Sequence, residues 1–446
     1  MADYLHRLAS FVEGLRIASL GASAVEAAKA VVLDTLGAIL AGSRLDENRR
    51  LAGLAAERSG PRTATLIGHR LRAEPMLATL ANGTAGVALE MDEGNRWGGG
   101  HPAIHVLPAA LAVAEEVGAS GARLLEALVA GYEVTSRLGG ATSVRANVHS
   151  HGTWGTAGAA VAVGRLRELG VADLRKVINL AVSMSPANTW TPCFEGATIR
   201  NAYPGRAGMQ GVLAVHLLGC GFTPIADAPA DVYGTILADH FDPAAVVNGL
   251  GVEPVRIERN YFKFHACCLY NHPALDAVHA MRHAEGFGAE DVERVDVTSV
   301  PFVTRMADPD PPAMLAAKFS VPHAVAAALV LGRSDVAAFE ASALSDQRIR
   351  ALAARVKVTA DQEMSMRGTS GPQAEVAVTL KDGRTVRRTT AIVRGDAANP
   401  VAHDELVAKF TALGSDTLGA ERVRDVVRTV ARLDTLRDVR DLTSLV

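Results

Sequence analysis

The chain has 446 residues, 45 basic and 48 acidic, for a net charge of −3 at neutral pH. That balance excludes a generally cationic nucleic-acid binder, while 49% hydrophobic and 21% charged residues describe an ordinary globular protein with ample core. The length implies about two or three folding units. Aromatics at only 4%, beside abundant Ala, Val, Leu and Gly, favour close-packed helices over a barrel or sandwich.

In chain order, Ala22–Leu40 reads as a helix, with Val25, Ala28, Val32, Leu36 and Ile39 at three- and four-residue steps. Further helices are predicted over Glu74–Met91, Ile104–Val117, Gly121–Gly139, Thr153–Leu169, Ala172–Met184 and Gly205–Gly221, joined by short Gly-, Ser- or Pro-rich links. The pattern changes near Gly251–Pro254. Val292–Val300 alternates apolar and polar residues as a half-buried strand does. Ala374–Leu380 and Thr385–Val393 are two more strands, joined through Asp382-Gly383 as a hairpin. Helical periodicity returns after Pro400. The expected fold is mainly α: a large all-helical domain of 1–258 plus 396–446, with a smaller α+β lid of 259–395 inserted into it.

The four cysteines, Cys193, Cys220, Cys267 and Cys268, form no C-x-x-C pair, so neither a disulfide framework nor a cluster-binding run is expected. The first residues lack an apolar signal core, and runs such as Val325–Leu331 fall far short of the ~20 residues of a membrane span. The expectation is a cytoplasmic protein with no membrane and no nucleic-acid partner. Phosphate-loop, dinucleotide, H-E-x-x-H and G-x-S-x-G fingerprints are absent.

Polar residues instead gather at breaks between apolar helices. Glu90, Asp92 and Glu93 precede Gly98-Gly99-Gly100 and then His101-Pro102-Ala103-Ile104-His105. Pro102 suits a first helical position, which puts His101 at the N-cap, where a substrate carboxylate could dock. His149 and His151 sit before a helix of very small residues and are candidate acid/base groups near neutral pH. Arg200, Tyr203 and Arg206 precede another helix and offer guanidinium forks for carboxylates. Lys263 stands among aromatics and leads through Cys267 and Cys268 to His272; adjacent cysteines more naturally pack as small buried residues than share a metal. Lys318-Phe319-Ser320-Val321-Pro322-His323 opens a last apolar helix.

Taken in order, these blocks resemble the MmgE/PrpD family, which includes 2-methylcitrate dehydratase, cis-aconitate decarboxylase and iminodisuccinate epimerase. The resemblance spans nearly the whole chain: Leu33-Asp34-Thr35-Leu36-Gly37, Asn82-Gly83-Thr84-Ala85, the acidic block with His101-Pro102, Gly131-Tyr132-Glu133, His151-Gly152-Thr153-Trp154-Gly155-Thr156 and the Cys267-Cys268 block. It implies a helical domain with an α+β lid, a homodimer, an active site in the cleft, and catalysis without metal or organic cofactor. His101 matches the histidine of the family's His-Pro block. His149 falls where the decarboxylase branch has an active-site histidine, Arg200 where it has a lysine, His323 where it has a tyrosine and Cys268 where it has another histidine. Asp92 and Glu90 could each match the active-site aspartate, and Gly94 replaces a threonine.

These features point to an enzyme that abstracts a proton next to a carboxylate of a small di- or tricarboxylate. Elimination or addition of water is the first expectation; epimerisation and decarboxylation are alternatives. His101 or His149 would be base or acid, with His151 and His323 as further candidates, and Asp92 would orient or shuttle. Arg200 and Lys263 would bind carboxylates from opposite sides of the domain boundary, with Tyr203, Cys268 and His272 around them. From a different class, a metal-dependent hydrolase would use His101, His105 and Asp92.

Overall fold

A computed structural model describes residues 3–364 and 371–446. Helices dominate it, and most of those predicted appear within a few residues: Ala22–Gly42, Pro75–Val87, Pro102–Val117, Gly121–Gly140, Gly155–Leu166, Val171–Ser183 and Ala202–Gly219. Pro102–Val117 is buried on all sides from Pro102 to Glu115, as suits a helix with apolar residues around its whole circumference. Small residues bring its neighbours close. At the crossing of Pro75–Val87 with Ala202–Gly219, a Cβ on Gly83 would lie 2.7 Å from the Gly205 Cα, so only glycine fits there.

The C-terminal helix His403–Ala431, interrupted at Gly419, packs along Ala22–Gly42 and returns the chain to the first core. That core joins residues between Tyr4 and Ile257 with Phe410, Val423, Val426 and Val430. A second core is built from residues 266–380 and takes in Ala38, Ala41, Leu89, Met91 and Leu413 along the seam. It backs a four-stranded sheet in the order Thr385–Thr390, Ala374–Leu380, Val292–Ser299, Val356–Ala360, antiparallel except for the last pair. The predicted hairpin is present, turning through Gly383 at φ +88°. Its second strand stops at Thr390, three residues short of the expected end.

Two departures from the expected elements matter for the site. The helix predicted to reach Met91 ends at Val87, and Leu89–Glu93 form a buried irregular turn with Glu90 at φ +56°. The helix predicted from Thr153 starts at Gly155, leaving the histidine pair on a loop. Among the described residues there are also three two-stranded ladders. One of them, Gly94–Asn95 with Asn260–Tyr261, ties the acidic turn to the segment that supplies Lys263. Among the described residues no helix is long and apolar enough to cross a membrane.

Candidate active site

A cavity of about 480 Å³ opens at the seam between the two cores. Its wall includes Asn95, Arg96, His101, Ser150 and Trp190 from the first part, and Tyr261, Cys268, Tyr270 and Phe302 from the second. Of the expected side chains, His101 and Cys268 are on this wall. Asp92, His149, His151, Arg200 and Lys263 lie behind it, each almost fully buried.

The turn Leu89–Asp92 organises the charges. Glu90 lies between two cations, with Oε1 2.5 Å from Arg200 Nη1 and Oε2 2.9 Å from Lys263 Nζ. A non-glycine residue in left-handed backbone is strained by about 1–2 kcal/mol, and this pair of contacts is what holds it there. Burial alone would raise the Glu90 and Asp92 carboxyls, but Arg200 and Lys263 beside Glu90, and Lys263 and His101 beside Asp92, hold both below their ordinary values. Both carboxylates are therefore charged at neutral pH.

Arg200 and Lys263 are thus brought together across the seam, as expected, but the carboxylate they share in this structure is Glu90's. Burial opposes both charges; Glu90 beside Arg200, and Asp92 and Glu90 beside Lys263, outweigh it and hold both cations protonated. The helix N-terminus at Pro102 was expected to receive a substrate carboxylate. Its Ala103 N–H instead donates to Glu93 Oε1 at 2.6 Å, while Tyr132 O–H donates to Oε2 at 2.9 Å. Burial pushes the Glu93 carboxyl up to about 8.

His101 has a defined tautomer. Its Nδ1 lies 2.6 Å from the Glu93 carbonyl and 3.1 Å from Asp92 Oδ2, both acceptors, so Nδ1 carries a proton and, in the neutral ring, the lone pair is on Nε2. His105 donates from Nδ1 to the His101 carbonyl at 2.7 Å and accepts the Gly152 N–H on Nε2 at 2.9 Å. Both of its nitrogens are occupied, which removes it from the expected metal set. Burial holds it down at about 4.

The His149–Trp154 loop completes the cluster. His149 accepts the His151 N–H on Nδ1 at 3.0 Å, so its proton sits on Nε2, which is buried and has no hydrogen-bond partner among the described residues. Its ring stacks on Trp190 at 3.9 Å. His151 stands 4.6 Å from the His101 ring and 4.9 Å from His149, with both nitrogens buried and unpartnered among the described residues. Burial, reinforced by Arg200, holds both histidines well below their ordinary value, so they are neutral at pH 7. Asn188 pins this loop: its side chain donates to the His151 carbonyl at 2.7 Å and its own carbonyl accepts the His149 N–H at 2.9 Å.

Three expected residues are placed elsewhere. His323 hydrogen-bonds the Ala338 carbonyl at 3.0 Å and packs on Phe339, so its imidazole is tied into the second core. His272 bonds the Cys267 carbonyl at 3.2 Å and faces His265. Tyr203 presents its ring edge to His149 at 5.9 Å and does not reach the wall. Cys268 does reach it, but burial and Glu90 push its thiol up, which keeps it protonated and inert. Sequence reasoning missed Tyr261 and Trp190. Tyr261 is buried, forms part of the wall and meets the His101 ring edge-on at 6.0 Å. Its only local signal was standing two residues before Lys263.

A trio of possible metal ligands also emerges: Asp92, His101 and His151 place ligand atoms within 4.8 Å of one another.

The chain is similar to known proteins along nearly its whole length. The cis-aconitate decarboxylase-like protein oryM of Aspergillus oryzae is 24% identical over 471 residues, covering 98% of this chain and 96% of the relative. The cis-aconitate decarboxylases of Mus musculus and Homo sapiens are each 25% identical, covering 98% of this chain and 92% and 93% of their own. The MmgE/PrpD N-terminal domain matches residues 6–241 and the MmgE/PrpD C-terminal domain matches 265–435. Together these span most of the sequence on both sides of the cavity, and the chain belongs to the MmgE/PrpD family.

Proposed function

We propose that this protein is a lyase acting on a small di- or tricarboxylate, with His101 as the base that removes a proton from the carbon next to a carboxylate. The observation that carries this reading is the His101 tautomer: Nδ1–H is held by the Glu93 carbonyl and Asp92, leaving a basic Nε2 on a ring that forms part of the cavity wall. Asp92 stays ionised and stabilises the imidazolium once the proton arrives. The His149 Nε2–H is a neutral donor for a substrate oxygen, and Tyr261, whose phenol burial holds well above its ordinary value, supplies a second. Arg96, fixed by Asp396 through Nε at 2.7 Å, is a cation on the wall that faces a substrate carboxylate. In a dehydration, the proton taken by His101 leaves with the departing hydroxide as water; in a decarboxylation, carbon dioxide leaves first and His101, having taken a proton from solvent water, delivers it to the carbanion left behind. Dehydration or hydration is the first form of the reaction, with decarboxylation and epimerisation as its close variants. The unit 259–395 acts as a lid on the part formed by 1–258 and 396–446, since both contribute to the wall.

The test is proton NMR of candidate polycarboxylates incubated with the enzyme in deuterated water. Deuterium entering a position next to a carboxylate supports the reading. The absence of exchange or turnover across a panel of mono-, di- and tricarboxylates refutes it.

A metal-dependent hydrolase is the second reading, favoured by the ligand spacing of Asp92, His101 and His151. Against it, Lys263 Nζ lies 3.4 Å from Asp92 Oδ1 and would repel a divalent cation. Activity that survives exhaustive chelation supports the lyase reading; stoichiometric metal whose removal abolishes turnover supports the hydrolase.

A further inference from the structure

Two fully buried lysines have no part in the chemistry above. Lys318, ending the short helix Met314–Lys318, places Nζ 3.1 Å from the Leu89 carbonyl and 3.0 Å from the Ala266 carbonyl, 4.9 Å from the Phe339 ring centre. Lys409, on the C-terminal helix, places Nζ 2.5 Å from Asp34 Oδ1 and 2.8 Å from the Met91 carbonyl. Lys263 holds the Glu90 and Asp92 side chains. Each residue of the turn Leu89–Asp92 is therefore gripped by an ammonium, and the three come from separate elements. Only seven of the 45 basic residues are lysines, so composition does not explain three of them meeting on four residues.

Carbonyls beyond a helix end need donors, but an amide or hydroxyl would serve with a smaller desolvation cost than an ammonium. A charge is useful here because the turn carries Asp92. Lys409 and Asp34 both act on Asp92 through space, and Asp92 holds the His101 ring. We infer that Lys318 and Lys409 are positioning residues for the Asp92–His101 pair, the outer two points of a three-lysine clamp on this turn. The Asp34 of the Leu33–Gly37 motif is the counter-charge of that clamp. Besides Asp92, the charged and titratable groups around His101 are Glu90, Glu93, His105, Tyr261, His149 and His151, with Lys263 and Arg200 beyond; the substitutions below change none of these.

The inference rests on His101 being the base, so its test includes a readout that needs no substrate. Carbethoxylation of His101 by diethyl pyrocarbonate at fixed neutral pH, followed by peptide mass spectrometry, reports the unprotonated imidazole. Lys409→Met removes a cation and favours the imidazolium, so labelling slows by about two- to tenfold; Asp34→Asn removes an anion and speeds it, by up to about twofold. The double variant returns to within about twofold of the parent, and Lys318→Met slows labelling as Lys409→Met does. The exposed Lys357→Met serves as the control and labels at the parent rate. In turnover, Lys318→Met and Lys409→Met lower kcat by about tenfold or more with KM within about threefold. A role confined to packing would loosen the turn and speed labelling in both single variants of the Asp34–Lys409 pair. That same-sign result overturns the inference, as does an unchanged kcat in folded variants. Should Lys409→Met not fold, Asp34→Asn and the double variant decide the sign alone. If the parent turns over no carboxylate, the proposed function fails while the labelling signs still judge the clamp.

Discussion

Two histidine clusters of similar make-up lie on either side of the seam, and they differ in how completely their polar atoms are satisfied. In the first, His101, His149 and His151 crowd beside charged Asp92, yet His149 Nε2 and both nitrogens of His151 have no partner among the described residues. In the second, His265 bonds Ser334 Oγ through Nδ1 at 2.6 Å and Asp276 Oδ1 through Nε2 at 3.0 Å. His279 reaches the same Ser334 Oγ at 3.0 Å, and Asp276 accepts the Arg394 N–H at 2.9 Å. A serine, a histidine and an aspartate in line have the look of a nucleophile relay, but Ser334, both nitrogens of His265 and both oxygens of Asp276 are hydrogen-bonded, and none of the three residues lies on the wall of the seam cavity. Unmet donors beside a cavity mark where a substrate's oxygens can bind; a closed network marks scaffolding.

The comparison breaks first at His101. His101→Ala removes the base and should lower the rate of the chemical step by about 10²–10⁴-fold with the fold retained, whereas His279→Ala should leave it within about threefold. Single-turnover kinetics beside circular dichroism checks this, and equal losses in the two variants would erase the distinction between the clusters.

Next in size is Lys263. Lys263→Met leaves Glu90 and Asp92 buried with Arg200 as the nearest remaining strong cation, at an expected cost of about 3–5 kcal/mol in unfolding free energy. Adding Glu90→Gln removes one unpaired charge and should recover part of that loss in denaturant titrations.

Glu93 sharpens the comparison through pH. Its carboxyl is raised to about 8 in the fold by burial, against an unperturbed 4.5. The folded state therefore binds the proton more tightly than the unfolded state. The stability this contributes is fully present below about pH 4.5 and is lost as pH rises through 8, with a slope of at most about 1.4 kcal/mol per pH unit. Glu93→Gln keeps an acceptor for the Ala103 N–H and should flatten that slope; melting temperatures measured between pH 5 and 8.5 decide.

The smallest effect belongs to the closed network. Ser334→Ala leaves His265 and His279 each short of one partner and should cost about 1–3 kcal/mol, with turnover within about threefold of the parent. A larger loss of rate than of stability would give the second cluster a role in the chemistry.

Much of this molecule was legible along the chain because the cues were local. Apolar residues at helical steps marked the helices around Pro102–Val117, and Asp382-Gly383 between two alternating runs marked the hairpin. Polar residues at helix breaks marked His101, Asp92, His149 and His151, since breaks are where backbone and side chains turn towards a cleft. The order of these blocks carried the family. Partner choice was decided by the tertiary structure, because a side chain's partner is set by packing between residues far apart in sequence. Periodicity carried the helix on to Met91, yet the chain leaves it at Val87 so that Glu90 can meet Arg200 and Lys263, 110 and 173 residues further on. His323 stands at a helix start just as His101 does, and only the fold turns one towards Ala338 and the other towards the cavity. Tyr261, Trp190 and Lys409 had no spacing to announce them, and Lys318 stood out only as the start of the block that leads to His323; their positions follow from two cores meeting at one turn, where buried charge must find its counter-charge wherever the chain happens to pass.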